Sequence, residues 1–299
     1  MRSEFNFYHI QSVEFCVNIH TNRHEDANYL VPIDQSVQDA LKQVLDATLT
    51  AIKPEDGWPP YELSEKYASK ESLRADLTTD AMASVRALHE EEGWPVRVGA
   101  LNDPKKIAYY FAVFRDNRGR RLTAVRQATQ FKGAFKGRFV SVIDDTLSLI
   151  PDRMFKLDDQ FDFLITAQHV YILHPAGFER IAEIEEFAAE KARTMMLSLG
   201  KKVTFIECAG LADYVAKHRR AARLVAALNS RADLHTIKRA LFVKAAKETG
   251  VLLIENGRKL TPAKGSELGV LEMLDDRRYT TALKPGQKPA FVASSRRRL

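Results

Sequence analysis

"KLDDQFDFLITAQHVYILHPAGFERI", Lys156 to Ile181, sets three carboxylates, Asp158, Asp159 and Asp162, ahead of two short apolar runs and a helical opening. "FDFLIT" and "HVYIL", separated by Ala-Gln, are rich in aromatic and β-branched residues, the pattern of two paired strands. A helix is expected next, near Ala176–Phe187. Two readings of the aspartates compete. As an active site they would converge on metal ions, as in a two-metal nuclease. As a structural hairpin, Asp158 and Asp159 would hydrogen-bond turn amides, and Asp162 would face solvent or pair with a basic residue. The Glu-x-Lys pattern of such nucleases does not follow one strand later: "FIECAG" (205–210) offers Glu207 without a lysine two residues on. The hairpin reading is preferred, and a metal-dependent nuclease on Asp158, Asp159 and Asp162 is the alternative.

Upstream, Phe5, Phe7, Val13, Phe15, Val17 and Ile19 fall on odd positions, predicting a strand. Asp34 precedes Val37, Leu41, Val44, Leu45 and Leu49, the spacing of one helix face. "KPEDGWPPYEL" (53–63) reads as a Pro/Gly loop, and residues 71–92 as helical. "KKIAYYFAVF" (105–114) is apolar on both faces, as an interior strand would be, and "DNRG" (116–119) turns it into "RRLTAVRQA". "FKGAFKGRF" (131–139) reads as a loop pinned by its phenylalanines, and "RFVSVIDD" and "TLSLI" as another strand pair. Downstream, helices are expected at about 188–199, 210–229, 234–249 and 264–276, interrupted by the hairpin "VLLIENGRKL" with Asn256-Gly257 at its turn. The fold class is therefore α+β. A mixed or antiparallel sheet domain is expected over 1–187, and a basic, mostly helical domain with a short hairpin over 188–299.

Charge separates along the chain. Residues 1–90 carry 8 Lys/Arg against 15 Asp/Glu, whereas residues 191–299 carry 23 against 9, a net of +14. Such a one-signed segment points to an acidic partner, nucleic acid first. Two candidate surfaces follow. Read as one helix, "LADYVAKHRRAARLVAAL" (211–228) places Leu211, Tyr214, Val215, His218 and Val225 on one arc, with His218 a core histidine. Arg219, Arg220 and Arg223 fall opposite, with Lys217 adjoining. The second surface combines Arg115, Arg118, Arg120, Arg121 and Arg126 with Lys132, Lys136 and Arg138, whose neighbouring glycines would let backbone amides approach phosphate. Arg296–Arg298 form a basic tail.

Other chemistry is poorly supported. The two cysteines, Cys16 and Cys208, suit a reducing compartment rather than a disulfide framework. Cys16, His20 and His24 are spaced by four, but no fourth ligand is evident and a core cysteine beside surface histidines is expected. No Walker-type, GxGxxG or GxSxG motif is present. No cofactor is expected. The start "MRSEFNFYHI" lacks a basic-then-apolar leader, and no apolar run reaches the roughly 18–20 residues of a membrane span, so a cytoplasmic protein is expected.

The opening stretch also resembles the KwaB-like family of bacterial anti-phage proteins, the cytosolic component of the Kiwa defence system. The shared pattern is Phe155-x-Leu157, the Phe161-Asp162-Phe163 strand, the Tyr171–Leu173 return strand, and Phe178-Glu179 opening a helix. "VLEMLDDRRYTTAL" (270–283) is similar to the family's closing Leu-x-Asp-Asp-x-x-Tyr segment. The resemblance implies DNA binding without strong sequence preference, restraining phage DNA; with the readings above, a non-catalytic, homo-oligomeric protein acting on double-stranded phage DNA is expected. The resemblance also implies work beside a small membrane-embedded partner, with recruitment to the inner membrane, and it supplies no catalytic residues.

Overall fold

The computed structural model describes the chain except residues 2, 20–26, 52–57, 98–105, 130–139, 144–145, 150–154, 282–287 and 294–299. The chain divides into two compact units: Met1–Pro60 with Ala68–Ala182, and Tyr61–Tyr67 with Glu183–Leu299.

In the first unit a seven-stranded sheet runs antiparallel throughout. Its strands are β1 (Ile10–Ile19), β2 (Ala27–Val31), β3 (Leu73–Asp76), β4 (Ile107–Asp116), β5 (Arg121–Gln127), β8 (Phe163–Ile165) and β9 (His169–Ile172), in the order β2-β1-β4-β5-β8-β9-β3. β6 (Val140–Ile143) and β7 (Thr146–Leu149) form a separate hairpin, as their sequence suggested. The central strand β4 is apolar on both faces because both faces are covered. Tyr110, Ala112 and Phe114 pack with Phe15, Val17, and Leu41 and Leu45 of helix α1 (Gln35–Ala51). The alternate residue Phe111 meets Trp94 edge to face, and Phe163 meets Phe178 of helix α3 (Pro175–Ile181) likewise. The Asp34 carboxylate accepts the Val37 N–H at 2.9 Å, capping α1 where the sequence placed its start.

Two expectations fail here for local reasons. Phe5 and Phe7 precede the strand, which begins at Ile10, although Phe5 is fully buried. Residues 71–92 are not all helical: Leu73 and Ala75 are buried and alternate with exposed Arg74 and Asp76, and β3 pairs with β9. The Asp76 carboxylate then accepts the Thr78 N–H and hydroxyl, a turn that ends the strand, and helix α2 runs only over Ala83–Glu90.

The second unit packs helices α4 (Ile184–Lys202), α5 (Cys208–Lys217), α6 (Arg219–Ser230), α7 (Arg239–Thr249) and α8 (Glu267–Leu274) with two hairpins. These are β10 (Leu253–Asn256) with β11 (Lys259–Pro262), and β12 (Arg278–Thr280) with β13 (Ala290–Val292). Gly257 takes φ 60° at the first turn, as the Asn-Gly dipeptide required. Buried alanines, Ala188 and Ala192 on α4 and Ala221 and Ala222 on α6, belong to one core with Met196, Leu199, Val215 and Val225. The expected helix near 176–187 is instead broken at Glu183, whose φ of 53° separates α3 from α4.

Tyr61–Tyr67, whose first three residues end the loop read at 53–63, belongs to this second unit through buried charge. Arg277 Nη2 donates to Glu65 Oε1 at 2.9 Å and to the Ser64 carbonyl at 2.8 Å, while its Nε donates to Asp275 Oδ2 at 2.7 Å. Glu65, Asp275 and Arg277 are all buried. A buried guanidinium holds only when such partners replace its water, so these contacts specify where the segment sits.

Candidate nucleic-acid interface

The aspartates resolve into unlike roles. Asp162 lies at the start of β8 and is buried; its Oδ1 accepts from Arg126 Nη1 at 2.6 Å and its Oδ2 from the Gln127 N–H at 2.7 Å. Asp158, also buried, accepts from the Thr129 hydroxyl at 2.5 Å and pairs with Lys156 Nζ at 3.0 Å and Arg126 Nε at 3.4 Å. Asp159 is exposed. Asp162 therefore pairs with a basic residue rather than facing solvent, and Asp158 serves side chains rather than turn amides. Burial pushes the Asp162 carboxyl above the usual carboxylate range against the pull of Arg126. For Asp158 burial also acts upward, but the Thr129 and Lys156 hydrogen bonds and the Arg126 charge outweigh it, leaving the carboxyl below its ordinary value. Arg126 thus sits between the two carboxylates that a metal site would need free. Among the described residues no group of three or more His, Cys, Asp or Glu could hold a metal ion. Cys16 is a core residue whose thiol burial pushes up to about 12; His20 and His24 lie outside the described residues.

The hairpin arginines are largely committed to their own unit. Asp116, fully buried, accepts the N–H groups of Asn6, Arg118 and Arg120 and the Arg120 Nε at 2.7 Å. Arg120 also donates to the Ser3 carbonyl, Arg121 to the Glu91 carbonyl, and Arg115 to Glu92 at 2.8 Å. The Arg118 side chain is exposed. Lys132, Lys136, Arg138 and Arg296–Arg298 lie outside the described residues.

The stretch 211–228 is not one helix. At His218, φ −127° and ψ 102°, the backbone leaves the helical region, and α5 ends where α6 begins. His218 is exposed rather than core: its ring stacks on Tyr214 at 4.0 Å, and Nδ1 lies 2.7 Å from the Tyr214 carbonyl oxygen. The break resets the helical phase, so α6 buries Ala221, Ala222, Leu224, Val225, Ala226 and Leu228, most of its circumference. Arg220 consequently reaches buried Glu272 at 2.7 Å, and Arg223 Nε donates to the Leu63 carbonyl at 2.7 Å. Arg219 pairs with Glu185 at 2.8 Å with both side chains largely exposed, an exchangeable contact of little worth. Lys217 is exposed.

Cations without a counter-ion gather elsewhere. Residues 238–264 hold seven Lys/Arg against two Asp/Glu. Arg239 takes one of the acids, Glu255, at 2.5 Å, which ties β10 to the start of α7. Lys238, Lys244, Lys247, Arg258, Lys259 and Lys264 are exposed and make no ion pair among the described residues. Lys244 and Lys247, three residues apart, share one stripe of α7. In the sequence this patch is less conspicuous than the denser Arg219–Arg223 run. The available signal was the excess of seven Lys/Arg over two Asp/Glu across 238–264 and the basic turn Arg258-Lys259.

An antiparallel sheet unit followed by a basic, mostly helical unit defines an α+β protein. The family model described as "Kiwa protein KwaB-like" matches residues 105–284, and the chain belongs to that family. It is thereby a component of the Kiwa anti-phage defence system. The match runs from the start of β4 through β12 and includes Asp162, the α5–α6 break and the basic patch of α7. No curated protein and no solved structure matches the chain.

Proposed function

We propose that this protein holds double-stranded phage DNA by its phosphates, without sequence preference and without catalysis, as its task in Kiwa defence. The observation that carries the reading is the set of exposed, unpaired cations on α7 and the β10–β11 hairpin. Lys/Arg without a protein counter-ion can release the condensed counterions of a duplex at no cost in broken salt bridges. Lys217 and Arg219 of the same unit supplement them, and Arg118 is an exposed cation of the first unit. Among the described residues neither strands nor helices present a row of Asn, Gln and Arg suited to base edges, which supports sequence tolerance. Absence of catalysis is supported by Arg126, whose ion pairs with Asp158 and Asp162 engage the carboxylates a nuclease would use.

Self-association and a small membrane-embedded Kiwa partner belong to the same reading, with the protein cytoplasmic until that partner brings it to the inner membrane. No helix among the described residues is long and apolar enough to cross a membrane, so on this reading membrane attachment comes from the partner.

The test is a duplex titration by fluorescence anisotropy at about 50 and 200 mM salt, where several phosphate contacts imply a loss of about 100-fold or more. Lys244→Glu, Lys247→Glu and Lys259→Glu combined should abolish binding while leaving the thermal transition in place. A flat salt response rejects the reading. Plasmid cutting in magnesium that Asp162→Asn abolishes would restore the nuclease.

A further inference from the structure

Two aromatic rings stand in water on the β12–β13 hairpin. The register places Tyr279 directly opposite Phe291, and both are close to half exposed, at 48% and 44%. Their centroids are 5.7 Å apart at an interplanar angle of 25°, an offset stacked pair with nearly parallel rings, whose outer faces and edges meet solvent. Val292 is exposed as well. The orientation is set from the other side of the hairpin. Arg278, the residue before Tyr279, sends its guanidinium inward to Glu272 Oε2 at 2.9 Å and to the Thr249 carbonyl at 3.4 Å. Strand alternation then turns Tyr279 outward.

A cross-strand aromatic pair helps hold a hairpin, and that alone would explain one ring sheltering another. It does not explain the electrostatic setting. The hairpin packs beside α7, whose exposed Lys244 and Lys247 lack counter-ions, and Lys288, just before β13, is exposed and unpaired among the described residues. Flat aromatic faces on a β-surface flanked by uncompensated cations are complementary to unstacked bases on a phosphate backbone. Duplex DNA keeps its base faces hidden, so it can use the cations but not the rings.

We infer that the Tyr279–Phe291 pair is a stacking platform for single-stranded nucleic acid, with α7 holding the adjoining phosphates. The inference rests on the proposed DNA-binding function and deepens it: the protein engages unpaired strands, as at replication or processing intermediates, by contacts that duplex DNA does not make.

The test uses the full chain and two fluorescent probes, a thirty-nucleotide oligodeoxythymidine and a mixed-sequence duplex of the same length. Tyr279→Leu with Phe291→Leu keeps an apolar cross-strand pair but removes the rings. The variant should bind the oligodeoxythymidine about 10-fold more weakly or worse, as the loss of one to two stacked bases implies, with duplex affinity unchanged. Ultraviolet crosslinking of the unaltered protein to 5-iododeoxyuridine oligonucleotides needs no variant and should map to Tyr279 or Phe291. Unchanged oligodeoxythymidine binding by a folded variant, with crosslinks elsewhere, overturns the platform while duplex binding by the parent leaves the proposed function standing. A parent protein that binds neither probe overturns both. If the variant changes the molar mass by light scattering but not oligodeoxythymidine binding, the rings belong to a contact between copies and the inference fails.

Discussion

Asp162 and Gly177 are mutually constrained: a Cβ at position 177 would overlap Asp162 Oδ2 and lie 2.6 Å from its Cγ. Arg126 and the Gln127 N–H pin that carboxylate, so it cannot swing aside. Gly177→Ala should therefore destabilise the first unit by about 1–3 kcal/mol, as forced overpacking does. Asp162→Ala should cost about 2–3 kcal/mol, because the Gln127 N–H loses its acceptor and Arg126 keeps only Asp158. Because Asp162→Ala also removes the overlap, the double variant should be no worse than Asp162→Ala alone. Denaturant melts of the four proteins check this; additive losses would mean that the two positions act independently.

His89 makes stability depend on pH. It is buried on α2 with Nδ1 3.0 Å from the Thr123 hydroxyl, and burial first, then the Arg121 charge, lowers its pKa to about 4. Its folded pKa lies below the unfolded value near 6.5, so between these values the unfolded chain binds more protons. The stability contributed by neutral His89 is fully present above about pH 6.5 and is lost as pH falls towards 4, on the order of 3 kcal/mol in all. Urea midpoints measured from pH 7 to 5 should fall in the parent and fall less in His89→Gln. Equal slopes would reject the assignment.

What the sequence revealed was local. The Asn256-Gly257 turn, the Asp34 cap and the two-faced β4 depend on neighbours within a few residues, and each stands where it was expected. What escaped depends on distant partners. Arg126 meets Asp162 across 36 residues, and Glu65 meets Arg277 across 212. The α5–α6 break carries neither Pro nor Gly, so periodicity ran through His218 and put the arginines on the wrong phase. A dense run such as Arg219–Arg223 suggests a binding surface, yet Arg220 and Arg223 are drawn to acceptors that only the tertiary fold supplies.

Asp116 offers a test of how the β4–β5 turn is held. Burial alone would raise its carboxyl, but the N–H groups of Arg118, Asn6 and Arg120, with the Arg120 guanidinium, bring it below the ordinary value. Its stabilisation is present above the unfolded carboxylate pKa, about 3.9, and is lost as pH falls through the lowered folded value. Asp116→Asn should destabilise the protein at neutral pH and make it less sensitive to acid below about pH 4. Acid titration of unfolding, followed by circular dichroism, reads both effects; a variant as acid-sensitive as the parent would remove Asp116 from the account.

Charge reversal separates the two basic regions of the second unit. Arg220 Nη2 lies 2.7 Å from Glu272, which is buried and shares its other oxygen with Arg278. Arg220→Glu would bring a second carboxylate to a site where Arg278 alone remains, costing about 1–3 kcal/mol because Arg220 itself is half exposed. Arg219→Glu loses only an exposed contact and should change stability by about 0.5 kcal/mol or less. Lys244→Glu and Lys247→Glu touch no ion pair among the described residues and should be equally mild. Thermal melts beside duplex titrations should therefore show opposite signatures. Arg220→Glu lowers the transition by several degrees and weakens DNA binding only as far as it unfolds the protein. The Lys244 and Lys247 reversals leave the transition in place and remove binding at constant fold. If instead Arg220→Glu leaves stability untouched and abolishes DNA binding, Arg220 faces phosphate rather than Glu272, and the arginines of α6 form the DNA surface.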